Sequence, residues 1–443
     1  MKIADRLFSL LPEALRSSFE HVFPPLKYIN FCLEIERSDH TPWDLKQQNQ
    51  LIRFKRIALH AQRYVPYYRS LFRQINFDAG TIRSLSDLGK IPILQRETVQ
   101  RHPELFLTDG VKREKLTARS TSGSTGTPLN VYFSAGEIAA QGALVRRQYR
   151  LAGVDPRDPH IVIAKALKRT LLMERRRGCL YFNTLRFDTR SVQEIAHFLL
   201  EQKRYGFVRG MPSFLKLIAL ELRARKARLS SLRAVITGYE YLSQNDRRSL
   251  SETFGCPVFN FYGMNEATVW GVDCPFHEGF HIDSNSSIVE LLPVEGPETS
   301  QVKLITTTLI NQTMPLIRYD TGDIASLSQK PCPCGRTDTL VENITGRSGA
   351  LIRLEDGSTY DFRVLSWVLR NLKGIKESRY VYYPRKEIVL EIVSGGAVDM
   401  SRLQKRLSGL FANRVKWSIR MVEGIARKEK GKFNFVHIVD SSI

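Results

Sequence analysis

Cysteine is scarce in this chain: six in 443 residues, too few and too unevenly spaced for the disulfide scaffold that small secreted domains use in place of a core. Long apolar runs are missing as well, and none approaches the roughly 20 residues a bilayer-spanning helix needs. The start, Met1-Lys2-Ile3-Ala4-Asp5-Arg6, has no basic leader followed by a small-residue cleavage site, so a cytoplasmic location is expected. Acid is in short supply: 45 acidic against 66 basic residues leave a net charge of +21, which favours polyanionic partners such as nucleotide phosphates, nucleic acid or an anionic membrane. The densest basic runs, Arg175-Arg176-Arg177 and Arg223-Ala224-Arg225-Lys226-Ala227-Arg228, lack the interleaved aromatics of a single-strand groove. No nucleic-acid partner is therefore expected, and the second run reads as a solvated helix face. A helix over residues 3–23, with Leu7, Leu10, Leu11 and Leu15 beside basic residues, packs on its own protein or lies on a membrane surface, so peripheral membrane contact stays open, as does a homodimer. Internal repeats and low-complexity segments are absent. With 42% hydrophobic residues the chain reads as globular, with two or three domains.

What stands out is Ser120-Thr121-Ser122-Gly123-Ser124-Thr125-Gly126-Thr127-Pro128-Leu129. Two glycines let the backbone bend where a Cβ would clash, and Ser122, Ser124, Thr125 and Thr127 set hydroxyls beside the freed amides, the composition of a phosphate cradle. Asn130-Val131-Tyr132-Phe133 follows as a strand, and Ser134-Ala135-Gly136-Glu137 as a capping box that opens a helix. It is not a P-loop, because Gly-Lys-Ser/Thr is missing.

Residues 45–72 show helical spacing at Leu51, Phe54, Ala58 and Ala61, ending at Pro66 or just beyond, in an all-helical preface. From residue 158 strands and helices alternate: strand 160–164, helix 191–204 with a Ser191/Glu194 capping box, strand 207–208, helix 212–226, strand 232–237, helix 243–254 and strand 257–261. Such alternation implies a mostly parallel sheet covered on both faces, whose ligands sit beyond the carboxyl ends of the strands. Two of those ends carry Thr237-Gly238-Tyr239-Glu240 and Tyr262-Gly263-Met264-Asn265-Glu266. Residues 280–328 turn to short β-rich segments. A small α+β unit follows Gly346-Arg347, read as helix 362–372, strands within 378–393, helix 401–411 and strand 415–422. Cys32, Cys179 and Cys256 read as core residues, whereas Cys274, His277 and His281 with Cys332-Pro333-Cys334 supply three thiols and two imidazoles, the ligand types of tetrahedral zinc.

The hydroxyl-rich loop is followed in order by Tyr262-Gly263-Met264-Asn265-Glu266, Arg318-Tyr319-Asp320-Thr321-Gly322-Asp323, Gly346-Arg347 and Gly431-Lys432-Phe433. That order resembles the adenylate-forming superfamily of acyl-CoA synthetases and ligases, specifically its phenylacetate-CoA ligase branch with the capsule-cluster proteins. His60-Ala61, Val65-Pro66-Tyr67-Tyr68-Arg69 and Ile91-Pro92-Ile93-Leu94 resemble the branch's helical preface. The resemblance implies an α/β fold: a large N-terminal α/β domain over 1–347 (preface 1–110, mostly parallel α/β core 115–275, β-rich subdomain 276–346) and a small mobile C-terminal α+β domain over 348–443. It implies ATP-dependent activation of a small carboxylic acid as an acyl-adenylate with loss of pyrophosphate, then acyl transfer, CoA being the leading acceptor.

By the same resemblance Ser122, Gly123, Ser124, Thr125 and Gly126 hold the β- and γ-phosphates; Tyr262 lies against the adenine, with Gly238 and Glu240 lining the slot and Gly263 in the strand-end motif. Asn265 donates to a phosphate, Glu266 faces Mg²⁺, Asp323 accepts from the ribose hydroxyls, Arg347 approaches the ribose or α-phosphate, and Lys432 is the mobile lysine. The acyl pocket falls near Phe207, Gly210, Tyr239 and the segment after Glu266. The chemistry asks for such groups: a carboxylate attacking a phosphate brings anion to anion, and one cation about 4 Å from the developing charge contributes roughly 4 kcal/mol at an effective dielectric near 20, about a thousandfold in rate. Departures from the family pattern are Asn265, where threonine is usual, and Ser348-Gly349-Ala350, which lacks the acids that usually follow the arginine; Leu129 replaces the lysine of many superfamily members, one that the phenylacetate branch commonly lacks. Some members show a similar Cys, Gly-x-His and Cys-x-Cys-Gly-Arg pattern, which favours Cys274, His281, Cys332 and Cys334 as structural zinc ligands, with His277 as the substitute. Rival readings are a ligase that passes the acyl group to an amine, a sugar or a carrier protein, and a non-catalytic protein binding nucleic acid or anionic membrane.

Overall fold

The computed structural model describes residues 31, 34, 35, 37–120, 129–164, 172–176, 179–183, 189–202, 204–227, 229, 231–239, 242, 244–266, 268–294, 301–328, 330–347, 352–354, 359–360, 365, 368–369, 372–411, 415–426 and 436–439. The helix expected over 3–23 and Cys32 lie outside them. No helix among the described residues is long and apolar enough to cross a membrane.

The preface is helical. Helix α1 (Trp43–Tyr64) buries Phe54, Ile57, Ala58 and Ala61 on one face, and Pro66, whose missing N–H costs nothing in a first turn, opens α2 (Pro66–Gln74) rather than only ending α1. After α3 (Arg96–Arg101), strands β1 (Thr117–Ser120) and β2 (Asn130–Phe133) pair antiparallel with Ser120 opposite Asn130. Residues 121–128, which connect them, lie outside the described residues. Leu129 is fully buried with Val131 and Phe133 against Tyr68, Phe72 and Phe106 of the preface. Both hydrogen bonds of the Ser134/Glu137 capping box form at the start of α4 (Ala135–Leu151).

The alternating region follows as β3 (His160–Ala164), β4 (Met173–Arg176), β5 (Cys179–Asn183), α5 (Thr189–Glu201), β6 (Phe207–Gly210), α6 (Pro212–Ala224), β7 (Ala234–Gly238), α7 (Gln244–Phe254) and β8 (Val258–Gly263). Strands β5, β3, β6, β7 and β8 run parallel. Arg175 and Arg176 belong to β4, an antiparallel edge strand. Arg223 donates to Thr253 and to the Ser249 carbonyl of α7, so the second basic run is only partly a solvated face.

Beyond β8 the chain reverses, and β9 (Trp270–Asp273), β10 (Phe280–Ile282), β11 (Ser287–Pro293), β12 (Gln301–Thr308), β13 (Tyr319–Leu327) and β14 (Leu340–Arg347) continue the same sheet. Twelve described strands lie in the order β11-β12-β13-β14-β10-β9-β8-β7-β6-β3-β5-β4. Within this sheet the parallel arrangement is confined to the alternating region, and the β-rich part expected as a subdomain is hydrogen-bonded into the sheet, because the turn after β8 returns β9 alongside it.

The carboxy-terminal part begins with the short pair β15 (Ile352–Arg353) and β16 (Thr359–Tyr360), then β17 (Ile375–Tyr383), β18 (Glu387–Ser394), α8 (Met400–Phe411), β19 (Lys416–Met421) and β20 (Val436–Ile438). The last four strands form a sheet in the order β19-β18-β17-β20. Helix α8 buries Leu403, Leu407 and Phe411 against Tyr380, Ile388 and Leu390, a core distinct from those of the large sheet. Most of the helix expected over 362–372 lies outside the described residues.

Candidate functional site

Strand β8 carries its polar residues to its carboxyl end. Gly238, at the neighbouring end of β7, admits no side chain, since a Cβ there would stand 2.5 Å from the Phe261 ring. Tyr262 donates its hydroxyl proton to the Asp323 carboxylate at 2.5 Å. Burial, reinforced by the Asp323 charge, pushes the Tyr262 hydroxyl well above its ordinary range, so it remains the donor. Asp323 itself is held by its register: its amide donates to Thr321 Oγ1 at 3.0 Å, Gly322 before it takes a left-handed φ of 71°, and Arg347 is its partner across the β13–β14 ladder.

The turn after β8 holds Asn265 and Glu266. Asn265 Nδ2 donates to the Ser120 carbonyl at 3.2 Å, which ties the turn to the end of β1, where residues 121–128 begin. Glu266 is fully buried. Its Oε1 accepts from Arg96 Nη1 at 2.7 Å and from the Tyr319 hydroxyl at 3.2 Å. Arg96 reaches that point because Leu94 is bolted to the start of β13: the Leu94 amide donates to the Arg318 carbonyl at 2.8 Å and the Asp320 amide to the Leu94 carbonyl at 2.9 Å.

Five segments that are remote in sequence therefore meet at one end of the sheet: the end of β1, the end of β7, the β8–β9 turn, the start of β13 and the end of β14. Ser122, Gly123, Ser124, Thr125, Gly126, Glu240, Lys432 and the Arg347 side chain lie outside the described residues. Gly238, Tyr262, Gly263, Asn265, Glu266 and Asp323 are brought together. Sequence reading missed Arg96. Nothing in its spacing announces an ion pair with a residue 170 positions away.

A second cluster lies past the other end of β9. Cys274 follows that strand, His281 is in β10, and Cys332 and Cys334 come from the β13–β14 loop; one ligand atom from each lies within 4.8 Å of the others. Cys274 Sγ is 3.5 Å from Cys332 Sγ, and Cys334 Sγ is 3.3 Å from His281 Nε2. Gly279 lets the chain cross β14 between these ligands: its φ is 148°, and a Cβ would stand 2.6 Å from the Val341 carbonyl oxygen. Burial pushes the Cys274 thiol up to about 12 and the His281 imidazole down to about 4. His277 is not part of the cluster; its Nδ1 faces Asp273 at 3.0 Å and Arg247 at 2.9 Å. Cys256 is buried and Cys179 half-buried.

Beside the cluster a buried Arg147 of α4 pairs with Asp39, Asp283 and Asp338, and Lys46 of α1 pairs with Asp338 at 2.8 Å. These pairs join the preface, α4 and the cysteine loop. Their partners are separated by 100 residues or more, so no local pattern could have signalled them.

Residues 119–288 match the family model described as AMP-binding enzyme. The chain is 27% identical over 329 residues to a phenylacetate-coenzyme A ligase of Thermus thermophilus, covering 70% of this chain and 72% of the relative. It is 19% identical over 398 residues to Protein CapK of Staphylococcus aureus, covering 88% and 85%. Among solved structures, a 2-hydroxyisobutyryl-CoA ligase in its postadenylation state superposes with a TM-score of 0.71 at 18% identity over 92% of each chain, a likeness of fold. The chain is thus similar to AMP-binding enzymes over residues 119–288 and to phenylacetate-coenzyme A ligases over about 70% of its length, and it shares the fold of an acyl-CoA ligase.

Proposed function

We propose that the protein joins a carboxylic acid to AMP at the expense of ATP, releasing pyrophosphate, and then passes the acyl group to CoA. The observation that carries this reading is the meeting of Tyr262, Asp323, Asn265 and Glu266 at the carboxyl end of β8, next to the end of β1 that leads into the hydroxyl-rich residues 121–128. Ser122, Gly123, Ser124, Thr125 and Gly126 receive the β- and γ-phosphates. Gly238, Gly263 and Glu240 border the adenine, and Asn265 donates to a phosphate. Asp323 exchanges its bond from Tyr262 for bonds from the ribose hydroxyls, which frees the Tyr262 ring to lie against the base. Arg347, beside Asp323 in the ladder, neutralises the α-phosphate.

Lys432, four residues before β20, approaches the same oxyanion from the carboxy-terminal domain over 348–443 and withdraws with it to admit the acceptor thiol. Glu266 would hold a nucleotide-borne Mg²⁺ through its carboxylate, a hard oxygen ligand of the kind that ion prefers, and the ion would supply positive charge against the phosphates. Cys274, His281, Cys332 and Cys334 fit a structural zinc, since three thiols and a neutral imidazole close a tetrahedron. A cytoplasmic location, where ATP and CoA are both at hand, fits this reading.

The test is acid-dependent exchange of labelled pyrophosphate into ATP over a panel of carboxylic acids, followed by thioester formation with CoA. Exchange with thioester product supports the proposal; exchange with product on an amine or sugar instead would move the acceptor; no exchange with any acid would defeat it.

A further inference from the structure

A cation stands in an apolar strand. Strand β6 reads Phe207-Val208-Arg209-Gly210, and Phe207, Val208 and Gly210 are buried. The register sets Arg209 beside Val162 of β3 and Ile236 of β7, on the sheet face where Tyr149 of α4 packs with Ile236, Phe259 and Phe261. Nη1 donates to the Tyr149 hydroxyl at 2.9 Å and Nη2 to the Tyr239 hydroxyl at 2.8 Å. The guanidinium carbon lies 5.9 Å from the ring centres of both tyrosines and 5.5 Å from that of Phe261.

This setting is built for charge but does not cancel it. Both phenols accept hydrogen bonds from the guanidinium, and burial moves Tyr149 further from ionisation. Aromatic faces offset part of the cost of desolvating a guanidinium. Among the described residues Arg209 has no carboxylate partner, and its Nε and the second hydrogen on each Nη have no acceptor. A planar fork with parallel donors to spare is the geometry that takes a carboxylate through two bonds.

Place decides which anion. Tyr239 follows β7 at its carboxyl end with a left-handed φ of 69° and is 55% exposed, so the guanidinium opens where ligands of a parallel sheet sit. Phe261, which flanks Arg209, and Tyr262, which bonds Asp323, are successive residues of β8 and point to opposite faces. The guanidinium is thus across the strand from the Tyr262–Asp323 pair.

Resting on the ligase reading above, we propose that Arg209 receives a second anionic group at the far end of the acid, so that the preferred substrate is a dianion, a dicarboxylate or an acid with a terminal group of like charge and shape. Tyr149 and Tyr239 fix that group with their hydroxyls, and Phe261 flanks the apolar chain between the two ends.

The test is pyrophosphate exchange without CoA on acids matched in length, one ending in a methyl and one in a carboxylate: hexanoate with adipate, and phenylacetate with 4-carboxyphenylacetate. The wild-type protein is expected to prefer the carboxylate-ended member by about a hundredfold in kcat/KM, the scale of one charge-assisted contact. Arg209→Met is expected to abolish that preference by raising KM for the diacid while KM for ATP stays, and Arg209→Lys to restore part of it. A wild-type preference for the methyl-ended acids, or an unchanged ratio in Arg209→Met, overturns the inference while the ligase reading stands. Absence of exchange with every acid overturns both. Should Arg209→Met fail to fold, the wild-type ratio alone decides.

Discussion

Two clusters of polar side chains sit at opposite ends of the short strand β9, and they are wired in contrary ways. Before the strand, both acids of the set proposed to face the nucleotide have protein partners: Glu266 has Arg96 and Tyr319, and Asp323 has Tyr262. After it, three thiols and a neutral imidazole face one another. Hydrogen bonds within the protein can be exchanged for bonds to a ligand at little net cost, so the first set suits a ligand that arrives and leaves. The second gathers groups that gain little from one another and much from a divalent ion. In the proposed reading one end of β9 serves turnover and the other permanence.

The largest effect is expected at the permanent end. Structural zinc supplies on the order of 10 kcal/mol of binding free energy, so the purified protein should carry one zinc per chain, and Cys332→Ser should lose both the metal and much of the melting temperature. Intact metal content and stability in that variant would erase the contrast. The Cys274 thiol, pushed up to about 12, holds its proton at neutral pH when no metal is present. Metal binding must release protons, affinity must rise with pH, and a chelator should strip the ion faster at pH 5 than at pH 8.

Next in size is Arg96→Met, which breaks the buried ion pair with Glu266. Removing one partner of a buried pair costs about 3–5 kcal/mol, and adding Glu266→Gln should recover a large part of the lost melting temperature. Equal melting of single variant and wild type would mean that the pair does not hold the turn. The smallest effect belongs to Tyr262→Phe. Losing one neutral donor to Asp323 is worth about 1 kcal/mol, and the nucleotide Kd should move by no more than about tenfold, the mark of a bond made to be exchanged.

The sequence made the strand-end motifs legible because chemistry fixes their residue types locally: glycine where a ring leaves no room, acid in a turn, cysteines two apart. The alternating strands and helices were readable for the same reason, since periodicity is local. What could not be read rests on distance. Arg96 meets Glu266 only because Leu94 docks on the start of β13, and Arg147 gathers three carboxylates from three separate loops and turns. The continuous sheet escaped notice because β10 to β14 carry the short, turn-rich pattern of a separate subdomain, while their membership is set by backbone pairing that runs from β8 through β9. Arg209 left a trace, a lone charge in an apolar strand, whose meaning came only with the rings around it.

The most direct test of the central claim compares wild type with Lys432→Ala in acid-dependent exchange of labelled pyrophosphate into ATP, with nucleotide binding measured beside it. Loss of a cation close to the reacting phosphate is expected to lower exchange by about a thousandfold, roughly 4 kcal/mol, with ATP still bound. Exchange at the wild-type rate in the variant would contradict the account.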